Sequence, residues 1–141
     1  MSRAATEALI FEYYRTFNQG DMDGFLSLLS DDVVHDINQG QREVGLTAFS
    51  RFMAHMNRCY REQLCEISIM SSADGTRAAA EFVVHGEYLE TDEGLPEARG
   101  QIYRLPAGAF FQIRDGKIAR VTNYYNLNDW LSQVGATQAS A

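Results

Sequence analysis

The chain has 141 residues, enough for one domain with a substantial buried core. Hydrophobic residues make up 45% and charged residues 22%, the balance of an ordinary water-soluble globular protein. A formal charge of −7 leaves no basic footprint for phosphate, which argues against nucleic acid or an anionic membrane as partner. No apolar run approaches the roughly 20 residues that span a bilayer. The start, MSRAATEALIFEYY, lacks the apolar core and small-residue cleavage site of a signal peptide. Cys59 and Cys65 show no CxxC spacing, so neither a disulfide framework nor a zinc knuckle is indicated, and a reduced, cytoplasmic setting is expected. Eight Phe and seven Tyr exceed what a compact core of this size requires; a lined cavity would use the excess.

Taken in chain order, residues 4–18 read as a helix, with Ala5, Leu9, Tyr13 and Phe17 at i, i+4 spacing and Ile10 and Tyr14 broadening the stripe. Gly20 suits a left-handed cap, and Asp21 caps a second helix carrying Phe25, Leu26, Leu28 and Leu29. Ser30–Asp32 is expected to close that helix, and Val33–Ile37 reads as a short strand followed by a turn at Asn38–Gly40. A third helix runs from about Leu46 to Tyr60 on a face of Phe49, Phe52, Met53, Met56 and Tyr60.

Beyond Arg61 the period becomes that of strands. Gln63–Ser72 alternates, placing Cys65, Ile67 and Ile69 on one face and Leu64, Ser68 and Met70 on the other. Asp74–Gly75 makes a hairpin turn, and Arg77–Glu90 returns with Phe82, Val84, Gly86 and Tyr88 opposite Glu81, Val83, His85 and Glu87. Thr91–Glu97 is a polar loop. Ala98–Ile113 is a strand bent near Pro106–Gly108, Asp115–Gly116 turns a second hairpin, and Ile118–Asn126 is the last strand. Asn128 caps a short closing helix through Val134, and residues 135–141 form a flexible tail on a core of about 4–134. Helices first and hairpins afterwards predict an α+β domain, its helices on one face of a curved antiparallel sheet.

The chemistry concentrates in DDVVHDINQG, where His35 and Asp36 stand inside a short apolar run. Burying such groups is costly unless they are paired or neutralised, which marks them as candidates for function. Alternation sends His35 and Ile37 to the interior side and Asp36 outward, where it pairs with an Arg such as Arg42, unless a bulge rotates it inward. His35 is a candidate general base or acid, and Asp36 takes that role if the strand is bulged. The three His at 35, 55 and 85 come from different elements without HxxxH spacing, so no metal centre is expected. No phosphate-cradling glycine loop is present, and no cofactor is implied.

The wording YYRTFNQGDMDGFLSLLSDDVVHDINQG…GLTAFSRF, with the closing FFQIRDGKIARVTNYYN, resembles the nuclear-transport-factor-2-like (cystatin-like) superfamily. Within it the chain is similar to the SnoaL-like, ketosteroid-isomerase-related branch, over nearly all of its length. The resemblance implies a cone, with three N-terminal helices closing over the concave face of the sheet around a mostly apolar cavity. It implies Tyr13 as an oxygen-polarising donor, matching the first-helix Tyr of ketosteroid isomerases. The carboxylate base of those enzymes falls on Ile37, one residue after Asp36, and their second oxyanion donor falls near Ala109, so a close copy of steroid isomerisation is not expected.

The expected cavity lining is Phe52, His55 and Met56 from the third helix, with Phe82, Val84, Leu105, Ala109, Phe111, Val121, Asn123 and Tyr125 from the sheet. The expected activity is cofactor-independent proton transfer on a small apolar carbonyl compound, an isomerase or cyclase step, with His35 or Asp36 as base and Tyr13 and Asn123 holding oxygen. The alternatives are a non-catalytic small-molecule-binding domain and a hydratase or dehydratase. A homodimer through the outer sheet face, where His85 lies, is the expected assembly.

Overall fold

The computed structural model describes residues 1–135; positions 136–141, which hold all but the first residue of the expected tail, lie outside them. The elements are α1 (Arg3–Gln19), α2 (Met22–Ser27), β1 (Leu29–Asp36), β2 (Arg42–Val44), α3 (Leu46–Cys59), β3 (Tyr60–Ser71), β4 (Arg77–Tyr88), β5 (Ile102–Arg114), β6 (Lys117–Tyr125) and α4 (Leu127–Gly135). The six strands form one curved open sheet in the order β2-β1-β6-β5-β4-β3, with helices packed on it, so the fold is α+β as expected. One ladder departs from an all-antiparallel sheet: β1 runs parallel to β6.

The caps explain where the helices begin and end. Ser2 accepts a hydrogen bond from the Ala5 amide at the start of α1, and Gly20 closes it in the left-handed region at φ 71°. Asp21 then caps α2 through the Gly24 amide at 2.9 Å. That second helix is shorter than its apolar spacing predicts. The Ile118 amide donates to the Leu28 carbonyl and Leu29 pairs with Ile118, so Leu29–Asp32 joins the sheet and Ser30–Asp32 does not close a helix. Here strand pairing overrides local helical periodicity.

The strands depart from simple alternation at one place with structural consequence. Glu66 has φ 54° and sits in a bulge of β3, between Cys65 and Ser68. The extra residue reverses the expected faces: Leu64 opposes Val84 and Ile69 opposes Ala80, so both point to the core, while Cys65 opposes Val83 on the other side. β4 keeps its predicted alternation, with Phe82, Val84 and Tyr88 buried and His85 on the opposite face. The β4–β5 ladder is continuous through Pro106–Gly108, and the break in β5 pairing falls instead at Gln112–Ile113. β2, with Glu43 opposite His35, has no counterpart in the sequence reading.

α1 is fastened to the sheet beside the Glu66 bulge by one side chain. Asn18 donates to the Leu64 carbonyl and accepts from the Leu64 amide, both at 2.9 Å, as a neighbouring strand would. Gln63 Nε2 donates to the Asn18 carbonyl. Removing the pair leaves Leu64 backbone groups unmatched, so Asn18→Ala is expected to destabilise the fold by about 1–3 kcal/mol in urea titration. A loss under a few tenths of a kcal/mol would show that the Asn18 clasp adds nothing to what the apolar face of α1 and its Thr6 and Glu7 contacts supply.

Candidate active site

Between the helices and the concave face lies a cavity of about 680 Å³. α1 contributes Tyr13, Tyr14 and Phe17 to its wall, and α3 contributes Phe49, Phe52, Met53, His55 and Met56. The strands contribute His35, Phe82, Val84, Asn123 and Tyr125, and the loop after β4 contributes Leu89, Asp92 and Leu95. Phe52, His55, Met56, Phe82, Val84, Asn123 and Tyr125 thus line the cavity as the sequence led us to expect. Phe111 does not. It is fully buried under Tyr13 and Tyr14, whose ring centroids stand 5.4 and 6.2 Å away, so it belongs to the sealed core. Leu105, Ala109 and Val121 are equally closed off beneath the helices.

β1 delivers His35 to the cavity wall. The ring is 2% exposed, stacks on Phe49 at 4.2 Å and meets Phe52 edge-on at 4.7 Å. Burial pushes its pKa down to about 4, only partly opposed by the nearby charge of Asp36, so the imidazole is neutral at pH 7. Its Nδ1 is sealed with no hydrogen-bond partner among the described residues, which leaves Nε2 as the nitrogen available to a ligand. Tyr13 is buried against Phe25 at 4.5 Å, and burial pushes its phenol well above the ordinary range. No hydrogen bond joins Tyr13 to His35 among the described residues.

Asp36 is placed away from the cavity. It accepts hydrogen bonds from Arg42 Nε at 2.6 Å and Nη2 at 3.1 Å, and from Thr122 Oγ1 at 2.6 Å. Those donors, with the Arg120 charge, hold its carboxyl down to about 2. The β1–β6 irregularity lies between Leu29 and Val34, upstream of the position where a bulge would have to rotate Asp36 inward. Asp36 is therefore not positioned as the base, and the outward alternative, pairing with Arg42, is the one observed.

Part of the cavity wall is polar, and of its members sequence reasoning singled out His55 but not Asp92. Asp92 accepts from Tyr60 Oη at 2.7 Å and pairs with His55 Nε2 at 2.8 Å, while Arg58 reaches His55 Nδ1 at 3.0 Å. Cys59 lies beside them, and His55, Cys59 and Asp92 offer ligand atoms within 4.8 Å of one another. Both imidazole nitrogens and both Asp92 oxygens are engaged by neighbours, so these hydrogen bonds latch the loop that carries Asp92 to α3 and Tyr60.

Glu62 also lines the cavity, accepting a hydrogen bond from Tyr103 Oη at 2.5 Å. The signal for it was present: a strand beginning at Tyr60 rather than Gln63 sets Tyr60, Glu62 and Leu64 on one face.

The SnoaL-like domain family matches residues 10–121. The chain belongs to that family. Among solved structures, a "putative polyketide cyclase" from Pseudomonas putida KT2440 is 63% identical, covering 96% of this chain and 99% of that one with a TM-score of 0.92. A second "putative polyketide cyclase", from Xanthomonas campestris pv. campestris, is 55% identical, covering 94% and 98%, also with a TM-score of 0.92. A "putative ketosteroid isomerase" from Kribbella flavida DSM 17836, 24% identical over 88% of this chain and 79% of its own with a TM-score of 0.63, shares the fold alone. No curated protein matches. The SnoaL-like membership expected from the helix-pair wording is thus established. Among the described residues no helix is long and apolar enough to cross a membrane.

The buried imidazole sets a pH response. Its folded pKa of about 4 lies below the ordinary 6.5, so between these values the unfolded chain binds the extra proton and stability falls as pH falls. Comparing His35→Asn with the parent by urea titration at pH 7 and pH 4, the parent is expected to lose about 3 kcal/mol more over that interval. Equal losses in the two proteins would mean that His35 titrates as it does in water.

Proposed function

We propose that this SnoaL-like protein is a cofactor-independent isomerase or cyclase that moves a proton on a small apolar carbonyl compound. The observation that carries the reading is His35, a neutral imidazole packed between two phenylalanine rings on the wall of an apolar cavity. Its Nε2 lone pair takes the proton next to the substrate carbonyl. In an empty cavity the imidazolium is penalised by burial; once an enolate forms beside it, the opposite charges attract strongly in the same dry surroundings. Tyr13 and Asn123 hold the enolate oxygen by hydrogen bonds that are worth more there than in water. Returning the proton to another carbon completes an isomerisation; in the cyclase case the enolate carbon attacks a second carbonyl, whose π bond opens to an alkoxide that takes the proton back from His35 as the ring closes. The similarity to the two structures described as "putative polyketide cyclase" supports this reaction class.

Proton abstraction can be read without knowing the natural substrate. With 2-tetralone in deuterium oxide, NMR should detect protein-dependent exchange of the protons beside the carbonyl. His35→Gln is expected to slow that exchange by at least about 100-fold and Tyr13→Phe by about 10-fold or more. Exchange that proceeds unchanged in both variants would remove His35 and Tyr13 from the chemistry.

The same reading includes a homodimer through the outer sheet face. Phe110 and Tyr124 pair edge-on there at 5.8 Å while remaining 47% and 57% exposed, next to Pro106, Val83 and Ala79 on the neighbouring strands. Phe110→Glu is expected to convert a dimer into a monomer in light-scattering chromatography, with the cavity intact; a monomeric parent protein would refute the assembly.

A further inference from the structure

Glu62 is a carboxyl on the concave side, hydrogen-bonded by a buried tyrosine. It stands opposite Gly86 across the β3–β4 ladder and lines the cavity. A Cβ built on Gly86 would overlap the Tyr103 ring, so the missing side chain is what lets Tyr103 cross β4 and reach Glu62 Oε2. Tyr103 is itself fully enclosed, and Trp130 from α4 packs edge-on against it at 6.0 Å. Tyr60 and Tyr88 stack at 5.3 Å and complete the wall. Placing a carboxyl here is costly: burial raises its pKa, and the Tyr103 hydrogen bond acts in the lowering direction.

A carboxyl used only to satisfy Tyr103 needs no cavity in front of it. Oε2 is taken by Tyr103, and the residue faces the cavity, so the second oxygen is the one available to a ligand. We propose that Glu62 is the cavity's second ligand-contacting group, its Oε1 accepting a hydrogen bond from a hydroxyl on an otherwise apolar molecule. This rests on the reading of the cavity as a ligand chamber and adds its recognition rule. A ligand able to donate, such as an enol or a phenol, fits; a ligand whose oxygen is capped by carbon does not. A ligand carboxylate is disfavoured, because two carboxylates would share a water-poor space that also holds Asp92.

The test pairs two probes, 2-naphthol and 2-methoxynaphthalene, which differ in their ability to donate, followed by fluorescence at pH 8. The parent protein is expected to prefer 2-naphthol by about 10-fold or more, as a charge-assisted hydrogen bond would give, and Glu62→Gln to reduce the preference to within about twofold. Circular dichroism and thermal melting establish that the variant is folded. Tyr103→Phe supplies an independent reading should it not be. The titratable and charged groups that share the cavity wall with Glu62 include His55, Tyr60, Arg61, Asp92 and Tyr125, and Tyr103 behind it is the group among the described residues that donates to Glu62. In the parent the preference should vanish as pH falls and Glu62 takes up its proton; loss of the Tyr103 donor should move that change to higher pH. Two probes that bind, with a preference unaltered by either substitution, would overturn the proposal and leave the chamber standing. Failure of both probes to bind the parent would overturn the chamber as well.

Discussion

His35 lies flat against Phe49 and edge-on to Phe52, and Phe49 in turn rests against Phe25, which carries Tyr13 on its other side. This run of rings joins α1, α2, β1 and α3 into one contact, so the pieces that close the cavity also decide its dryness. The Nδ1 edge of the imidazole is sealed by this packing, and only the Nε2 edge faces the cavity. The electrostatic character of the chamber is therefore a packing property, and any substitution that loosens the rings changes basicity along with stability.

The second polar end obeys the same rule with different parts. Tyr60, Tyr88, Tyr103 and Trp130 surround Glu62 and Asp92, and the Tyr88 hydroxyl donates to the Pro96 carbonyl while accepting from the Asp92 amide. The loop over the cavity is thereby tied to the strand beneath it by hydrogen bonds whose partners are largely buried. A neutral imidazole and a carboxyl on one otherwise largely apolar wall give the cavity two polar contacts for a mostly apolar molecule.

Much of the fold was legible in the sequence because its punctuation is strong. Gly20 and Asp21 mark the junction of the first helices, the Asp-Gly pairs mark the hairpins, and the Phe82–Val84–Tyr88 rhythm places β4. The site was legible where alternation is unbroken, as at His35, Asn123 and Tyr125. It was illegible where a tertiary contact decides. Leu28 and Leu29 carry helical spacing, yet the edge of β6 captures them. Glu66 adds a residue that no local pattern announces, and Cys65 and Leu64 exchange faces as a result. Phe111 alternates inward correctly, but only the path of α1 reveals that tyrosines cover it. Glu62 escaped notice because the start of β3 was read three residues late.

Gly86 ties three strands into one heritable unit. Any relative that gains a methyl group at this place must shrink or swing the tyrosine at 103, and the carboxyl at 62 then loses the phenol that donates to it. A side chain at 86 and a tyrosine at 103 that reaches Glu62 cannot share this geometry, so the three positions act as one unit. A glycine with nothing to contribute by itself becomes the marker by which chambers of this kind are sorted from those that have abandoned the acid.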